Sequence, residues 1–228
     1  MDDLTLLYIS ASRMPQTWID YQINKLFDAV KDTPIISCTR KPLDLGLNLI
    51  DNEPRSMWNI YMQMLRAAKL AKTPYVAMVE DDTLYSKEHF TGFRPKENTV
   101  SYNRARWSLF SWVKNPDQQM YCMRQRVSNC SLIAPTEFLI EVLEERHAKH
   151  PNGNKYVGEI GRKKVDRRLG VKIRKRVEWY SMVPIIQLNH RTGTDAGGGP
   201  GRTKRHGQIK AYDIPHWGKA KEIIKHYG

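Results

Sequence analysis

Three consecutive carboxylates, Glu80, Asp81 and Asp82, directly follow the apolar run YVAMV in this chain of 228 residues. Side chains alternate along an extended strand, so Glu80 and Asp82 point the same way and Asp81 points the other. Like charges at this spacing repel, and a nearby cation or basic group relieves the repulsion. Oxygen ligands of this kind suit Mg²⁺ or Mn²⁺, so the triplet predicts a metal site. A turn or helix cap that carries three solvated acids is the alternative.

A second polar group stands at the end of the apolar run 182–189, where His190 follows. The next residues, 191–208, contain six glycines and five basic residues, counting His206 as basic. A loop of this composition is a hinge or a mobile connection, and phosphate capture is one use for it.

Strands and helices that would position these groups alternate over the first hundred residues. Apolar runs at 4–10, 34–38 and 75–79 predict buried strands, and the segments between them place apolar residues at helical spacing. The second of these helices is predicted to start at Pro54-Arg55-Ser56. The alternation predicts an α/β fold with a Rossmann-like, mostly parallel sheet flanked by helices, in which ligands bind beyond the carboxyl ends of the strands.

The second half is less regular. It contains a predicted strand at 130–135, an amphipathic helix from Thr136, which is a candidate cap, and a strand at 182–190. The tail 214–228 reads as a short basic helix.

Charge is distributed unevenly along the chain. Residues 1–100 hold 12 Lys/Arg and 13 Asp/Glu, a net of −1, whereas residues 101–228 hold 25 and 11, a net of +14. The densest stretch, 155–176, carries ten basic residues. Such asymmetry predicts that the second half faces a polyanion, either nucleic acid or an anionic membrane surface, with a solvated helix face as the alternative.

Several classes are excluded by composition. Three cysteines cannot form a disulfide framework, and their spacing matches no zinc motif. No apolar run approaches the roughly 20 residues of a membrane span, and two acids near the N-terminus do not suit a secretory signal. The expected location is the cytoplasm, that of the host if the protein is viral.

The segment NIYMQMLRAAKLAKTPYVAMVEDDTLY (59–85) resembles the nucleotide-sugar glycosyltransferases of the GT-A fold, with their helix, turn, strand and acidic DxD-type motif. The resemblance implies a divalent metal, Mn²⁺ or Mg²⁺, that bridges the two phosphates of a donor such as a UDP-sugar. It implies that Asp82 and His190 contact the metal and that Glu80 contacts the metal or the ribose, although Glu80 departs from the usual aspartate, and it places Asp81 beside the donor.

The same resemblance implies which residues hold the nucleotide. The base and ribose are expected near Ser10, Ser12, Arg13, Thr39 and Arg40, and the diphosphate near Arg55, Arg191, Arg202 and Lys204. Loop hydrogen bonding and solvated loop side chains explain the same residues without a ligand.

A catalytic base is needed only if the enzyme inverts the anomeric configuration. Inverting relatives carry a Gly-Glu-Asp segment before a helix, and the nearest equivalent here is Gly158-Glu159-Ile160. The resemblance therefore makes Glu159 the candidate base and Asp166 the reserve, with helix-surface carboxylates as the alternative.

The resulting domain prediction is one GT-A-like core over residues 1–190, with a nucleotide-sugar half (1–100) and an acceptor half (101–190). Residues 191–228 form a basic glycine-rich loop and C-terminal tail. The oligomeric state does not follow from the sequence.

The excess positive charge of the second half points to the acceptor. DNA fits it, because Lys and Arg clusters track phosphates while Trp107, Trp112 or Trp179 could stack on a base. The hypothesis is transfer of a sugar to a 5-hydroxymethylpyrimidine in DNA, as in viral DNA-modifying glycosyltransferases. The alternatives are a glycosyltransferase for polysaccharide or lipopolysaccharide, with the tail on anionic lipid, and a nucleic-acid-binding protein without activity. A two-metal nuclease lacks its second carboxylate cluster.

Overall fold

The computed structural model describes residues 1–124, 126–154, 157–191 and 209–228. Within these residues the larger sheet has seven strands in the order β10-β6-β9-β4-β1-β2-β3. All neighbouring strands in it are parallel except β9, which runs antiparallel to β4 and β6. The strands are β1 (Leu4–Ile9), β2 (Ile35–Thr39), β3 (Leu47–Ile50), β4 (Tyr75–Glu80), β6 (Thr99–Asn103), β9 (Leu132–Pro135) and β10 (Lys175–Trp179).

A second sheet has the order β12-β8-β7-β11-β5. Its strands are β5 (Thr83–Leu84), β7 (Arg106–Phe110), β8 (Tyr121–Met123), β11 (Ile185–Asn189) and β12 (Lys210–Ala211). A small hairpin follows, formed by β13 (Asp213–Ile214) and β14 (Gly218–Lys219).

Helices cover both faces of the larger sheet. The helices in the described ranges are α1 (Gln16–Val30), α2 (Met57–Ala68), α3 (Lys87–Thr91), α4 (Thr136–Lys149), α5 (Lys163–Leu169) and α6 (Ala220–Ile224), of which α6 packs in the core beside the second sheet. Alternation along β1 sends Leu7 and Ile9 into the core that includes residues of α2 and α4, and Leu6 and Tyr8 into the core that includes residues of α1. The predicted α/β fold, with a mostly parallel sheet flanked by helices, is confirmed.

The central strands are apolar because helices bury both of their faces. All six residues of β1 are buried, and Ile9, its last residue, pairs in register with Cys38 of β2 and Glu80 of β4. The loops after β1, β2 and β4 therefore meet at one edge of the sheet.

Two local predictions need correction. Thr136 does not cap α4 but is its first residue, and its hydroxyl donates to the carbonyl of Thr73 at 2.7 Å. The helix predicted over 214–228 is confined to Ala220–Ile224 and a 3₁₀ turn at Lys225–Tyr227, because the hairpin of β13 and β14 takes up the residues before α6. Ser56 does cap α2, accepting from the backbone N–H of Asn59. No helix in the described ranges is long and apolar enough to cross a bilayer.

Candidate active site

The acid triplet lies at the carboxyl end of β4, beside the loop that follows β1. Ser10 donates its hydroxyl to Oδ2 of Asp81 at 2.5 Å, and the indole N–H of Trp18 donates to the backbone carbonyl of Asp81 at 2.8 Å. These bonds tie β4 to the β1 loop and to α1. Asp81 thus holds the two loops together.

Asp82 faces the end of β11, because β5 follows the triplet and pairs antiparallel with β11. The backbone N–H of Leu188 donates to the carbonyl of Asp82 at 2.7 Å. His190 Nε2 consequently lies 3.9 Å from Asp82 Oδ2, and both side chains are largely buried. The structure therefore brings together two of the three predicted metal ligands.

Gln187, which was not predicted from the sequence, lies between Asp82 and Glu80, the third predicted metal ligand. Its Nε2 lies 3.4 Å from Asp82 Oδ2 and 3.5 Å from Glu80 Oε2. Its Oε1 accepts from the buried guanidinium of Arg106 at 2.5 Å. Arginine can only donate, so the amide oxygen must face Arg106 and the NH₂ group must face the carboxylates. The only available signal was a polar residue inside the apolar run IIQLN.

The electrostatics of the triplet suit a cation. Burial and the charge of Asp82 raise the pKa of Asp81 to about 7, although the Ser10 hydrogen bond opposes the rise. Burial, with Asp81 and Asp82 nearby, also holds the pKa of the Tyr8 hydroxyl well above its usual range. A desolvated carboxyl, Asp81, and the charge of Asp82 thus lie side by side at this edge of the sheet.

The described residues contain no group of three or more His, Cys, Asp or Glu side chains that could hold a metal ion. Asp82 and His190 nevertheless offer a carboxylate oxygen and a ring nitrogen, a set that Mn²⁺ accepts. Two protein ligands fit a Mg²⁺ or Mn²⁺ ion that is held otherwise by substrate phosphates and water. The donor set is therefore compatible with a metal that binds together with a nucleotide.

The predicted nucleotide residues after β1 and β2 hold each other in place. Ser12 has a positive φ of 52° and its hydroxyl accepts from the backbone N–H of Arg40 at 3.1 Å. Ser10 Oγ accepts from the backbone N–H of Ser12, and Thr39 donates its hydroxyl to the carbonyl of Lys41. Three of the predicted hydroxyls thus shape these loops.

Besides Arg40, three of the predicted basic residues fall within the described ranges. The charge of Arg13 lowers the pKa of Asp81, which places Arg13 near the triplet. Arg55 lies exposed, immediately before the cap of α2, and Arg191 is exposed directly after His190. Arg202 and Lys204 lie outside the described residues.

Asp51, also not predicted, organises the loop after β3. Its buried carboxylate accepts from Asn59 and Gln63 at 2.7 Å each and pairs with Arg66, and Arg40 lies 3.5 Å away. Burial alone would raise the pKa of Asp51, but bonds from Arg66 and Asn59 lower it. Asp51 and the carbonyl of Glu53, which accepts from Arg40, together orient Arg40. This site could not be recognised from the sequence, because the partners of Asp51 lie on α2 and after β2.

The segment that carries Glu159 is fixed by its backbone carbonyls. Tyr61 and Arg146 donate to the carbonyl of Gly158 at 2.7 and 3.0 Å, and Tyr102 donates to that of Ile160 at 3.0 Å. The Glu159 side chain is partly exposed and lies 3.5 Å from Arg162.

A hydrogen-bond path leads from this segment toward the acids. Asn129 donates to the hydroxyl of Tyr61, and the neighbouring carbonyl of Cys130 accepts from Tyr85, whose oxygen accepts from the backbone N–H of Glu80. The 3₁₀ turn Asn129–Ser131 therefore contacts partners of both the acid triplet and the Glu159 segment.

Asp166, the reserve base, lies in a buried ion pair. Its Oδ1 accepts from Arg146 at 2.9 Å and its Oδ2 from the backbone N–H of Arg174 at 3.2 Å. Both side chains of the pair are at most 1% exposed. The arrangement is that of a structural ion pair that joins α4 to α5.

The basic stretch is mostly exposed on α5 and the edge strand β10. Arg174 is the exception, since it is buried and pairs with Glu141 and Glu145. The exposed set, called the basic surface below, is Arg162, Lys163, Lys164, Arg167, Arg168, Lys172, Lys175 and Arg176. The three tryptophans considered for base stacking, Trp107, Trp112 and Trp179, are all partly buried.

No family model matches the sequence, and no curated protein matches it. Comparison of the fold with solved structures finds similar chains at low identity. A mannosyltransferase, PcManGT from Pyrobaculum calidifontis in complex with GDP-Man and Mn2+, is 11% identical over 82% of this chain and 56% of its own, with a TM-score of 0.44. The glycosyltransferase GlyE of Streptococcus pneumoniae TIGR4 is 10% identical over 78% of this chain, with a TM-score of 0.44.

A bifunctional IspDF from Campylobacter jejuni is 11% identical over 78% of this chain, with a TM-score of 0.45. The chain spans 50% of the length of IspDF and 45% of that of GlyE. These similar chains therefore include both glycosyltransferases and other proteins.

Proposed function

We propose that this protein is a metal-dependent glycosyltransferase that moves a sugar from a nucleoside diphosphate, UDP in the first instance, to a hydroxyl of a DNA base. The observation that carries the proposal is the pairing of Asp82 with His190, 3.9 Å apart, where β4 and β11 end beside the loops after β1 and β2. Without a cation bound there, the three carboxylates would repel an anionic donor.

Asp82 and His190 would hold the ion, with Glu80 close by through Gln187. A bound Mn²⁺ or Mg²⁺ supplies positive charge that neutralises the leaving diphosphate. Ser10, Ser12 and Arg40, which follow β1 and β2, would bind the base and ribose. Asp51, 3.5 Å from Arg40, helps to orient that arginine.

Glu159 would accept the proton of the acceptor hydroxyl. The bond between the sugar's anomeric carbon and the diphosphate breaks, the bond from that carbon to the acceptor oxygen forms, and the nucleoside diphosphate leaves. A base must be held at a fixed position to act in this way. The three side-chain donors to Gly158 and Ile160 support this role.

The basic surface supports DNA as the acceptor. It begins three residues after Glu159, and a single diphosphate does not need eight exposed cations. Lys and Arg on a helix and an adjacent strand edge suit the regular phosphates of a nucleic acid. The hydroxymethyl group of a 5-hydroxymethylpyrimidine projects into the major groove, or is reached when the base flips out of the stack.

A lipid or lipopolysaccharide acceptor is less well supported. Its contact was expected to be the C-terminal tail, but Trp217 and Ile223 are buried in the core beside the second sheet. The tail therefore has few apolar side chains left to enter a membrane surface.

The test is a turnover assay with Mn²⁺, a panel of nucleotide sugars and duplex DNA containing 5-hydroxymethylcytosine or 5-hydroxymethyluracil. We expect a mass gain of one sugar on modified DNA only, lost in Asp82→Ala and kept in Asp44→Ala, a control at an exposed aspartate. Nucleotide-sugar binding without a DNA product would contradict the acceptor and leave the donor site standing. Absence of nucleotide binding, or full activity in Asp82→Ala, would contradict the whole proposal and favour a binding protein.

A further inference from the structure

The middle of one face of the second sheet is polar, between Ile185 and Phe110. Ser108 pairs in register with Gln187 of β11 and with Cys122 of β8, and paired residues share a face. The alternate positions of these strands, such as Leu109 and Leu188, enter an apolar core. The polar face therefore carries Gln187, the residue that contacts the acids.

Three arginines gather on this face, Arg106, Arg124 and Arg126, called the arginine cluster here. The backbone N–H of Arg124 donates to the carbonyl of Arg106 at 2.8 Å, which continues the pairing of β7 with β8. Arg106 is buried and donates to two neutral oxygens, Oε1 of Gln187 and the backbone carbonyl of Arg126. Arg124 is half-buried and Arg126 is exposed, so the cluster opens to solvent.

Positive charge is crowded in this cluster. Burial, with the neighbouring charges of Arg106 and Arg126, lowers the pKa of Arg124. Over the described ranges, no ion pair joins Arg106 or Arg126 to a carboxylate. Guanidinium groups do not deprotonate, so a bound anion would reduce the repulsion among them.

Two polar atoms of the same face independently call for a partner. The hydroxyl of Ser108 and Nε of Arg106 are buried, and neither has a hydrogen-bond partner among the residues that the structure describes. Buried polar atoms in folded proteins are nearly always hydrogen-bonded, to protein, water or ligand. The hydroxyl of Ser108 and the N–H at Nε of Arg106 can both donate to the oxygens of an anion.

We propose that the arginine cluster is a phosphate-binding subsite, with Arg124 and Arg126 at its opening and Arg106 and Ser108 at its base. Phosphate oxygens accept paired bonds from guanidinium groups, which favours arginine over lysine in this position. The subsite deepens the proposed function and rests on it for the identity of the substrate. Arg106 contacts the acids through Gln187, so the phosphate belongs either to the donor's diphosphate or to the DNA backbone beside the modified base.

The first measurement is calorimetric binding of inorganic pyrophosphate to the full chain without metal. In Arg124→Gln/Arg126→Gln we expect affinity to fall by about tenfold or more, as for a lost charge-assisted contact. Both substitutions keep the backbone groups that pair with Arg106. The matched control, Lys87→Gln/Lys96→Gln, removes two exposed charges elsewhere and should bind as the parent does. Equal binding by the double arginine variant, or no binding by the parent protein, would overturn the subsite.

A second set of titrations identifies the source of the phosphate. Weaker binding of UDP in the presence of Mn²⁺, with DNA binding retained, supports the donor, and weaker binding of DNA with UDP retained supports the acceptor. Uridine, which has no phosphate, should bind equally to parent and variant in both cases. If the parent transfers no sugar but the pyrophosphate difference persists, the proposed function fails and the subsite stands.

Discussion

Gln187 Nε2 lies 3.4 Å from Oδ2 of Asp82, and this contact joins the second sheet to the acid triplet of the larger sheet. The amide is held by Arg106, which fixes its orientation from the opposite side. A neutral donor between two carboxylates offsets part of their repulsion without filling the site with a full positive charge. Such an arrangement orients Asp82 beside His190.

We expect Gln187→Met to destabilise the protein by about 1–3 kcal/mol, because a buried N–H of Arg106 and both carboxylates lose a partner. Affinity for Mn²⁺ should fall as well, since Asp82 is no longer oriented. Urea unfolding and Mn²⁺ titration measure the two effects. The control is Gln16→Met, because the amide of Gln16 donates to the exposed Asp20, and this variant should stay within about 0.5 kcal/mol of the parent. Equal stability of both variants would contradict the role given to Gln187.

Glu159→Gln and Asp166→Asn should behave in opposite ways. Glu159 is partly exposed, so its loss should reduce the turnover number by about 10²–10⁴-fold with little change in stability. Asp166 neutralises the buried Arg146, so its substitution should cost about 3–5 kcal/mol of stability. Turnover assays together with chemical unfolding distinguish the two. Normal turnover in Glu159→Gln would remove it as the base, as expected for an enzyme that retains configuration.

The elements that could be predicted from sequence are those whose burial leaves a local pattern. β1 and β4 are buried on both faces and read as unbroken apolar runs, and α2 begins at a recognisable serine cap. The acids and His190 were found because polar residues at the ends of such runs are conspicuous. These features need no knowledge of which strands pair.

The features that sequence could not provide depend on pairing between distant segments. Gln187 reaches Asp82 only because the two-residue strand β5 pairs with β11, more than a hundred positions away. Asp51 and Arg40 meet because β3 lies beside β2 at the edge of the sheet. Arg106 is the first residue of β7, a strand that was not predicted, so its burial could not be inferred from the sequence. Asp166 looked like a helix-surface acid because its partner Arg146 is on another helix.

His89 predicts a pH dependence of stability. It is fully buried, and burial, with Arg94 nearby, lowers its pKa to about 3. In the unfolded chain this histidine has a pKa of about 6.5, so below that pH it binds a proton that the buried ring in the folded chain does not bind. Stability therefore falls as the pH drops from about 6.5 toward 3. The loss approaches about 1.4 kcal/mol per pH unit.

His89→Gln should flatten this dependence, because glutamine does not titrate and can still accept from Asn103, which lies 3.2 Å from the histidine ring. Urea unfolding at pH 7 and pH 5 measures the difference. The control, His216→Gln, alters an exposed histidine and should keep the parent's slope. If His89→Gln loses as much stability as the parent between these pH values, burial of a neutral His89 is contradicted.

The basic surface predicts a salt-dependent affinity for DNA. Each phosphate contact adds a slope of about −0.9 to the plot of log affinity against log salt concentration, through release of counterions from duplex DNA. Lys163, Lys164 and Arg167 are exposed on α5. The triple alanine variant should therefore reduce the slope by up to about 3 and weaken binding to modified and unmodified DNA alike. Fluorescence anisotropy at several salt concentrations measures both quantities. The control variant replaces three basic residues on other parts of the surface, Lys25, Lys31 and Lys69, and should leave the slope unchanged. An equal effect from the two triple variants would mean that the attraction is due to net charge and not to the basic surface.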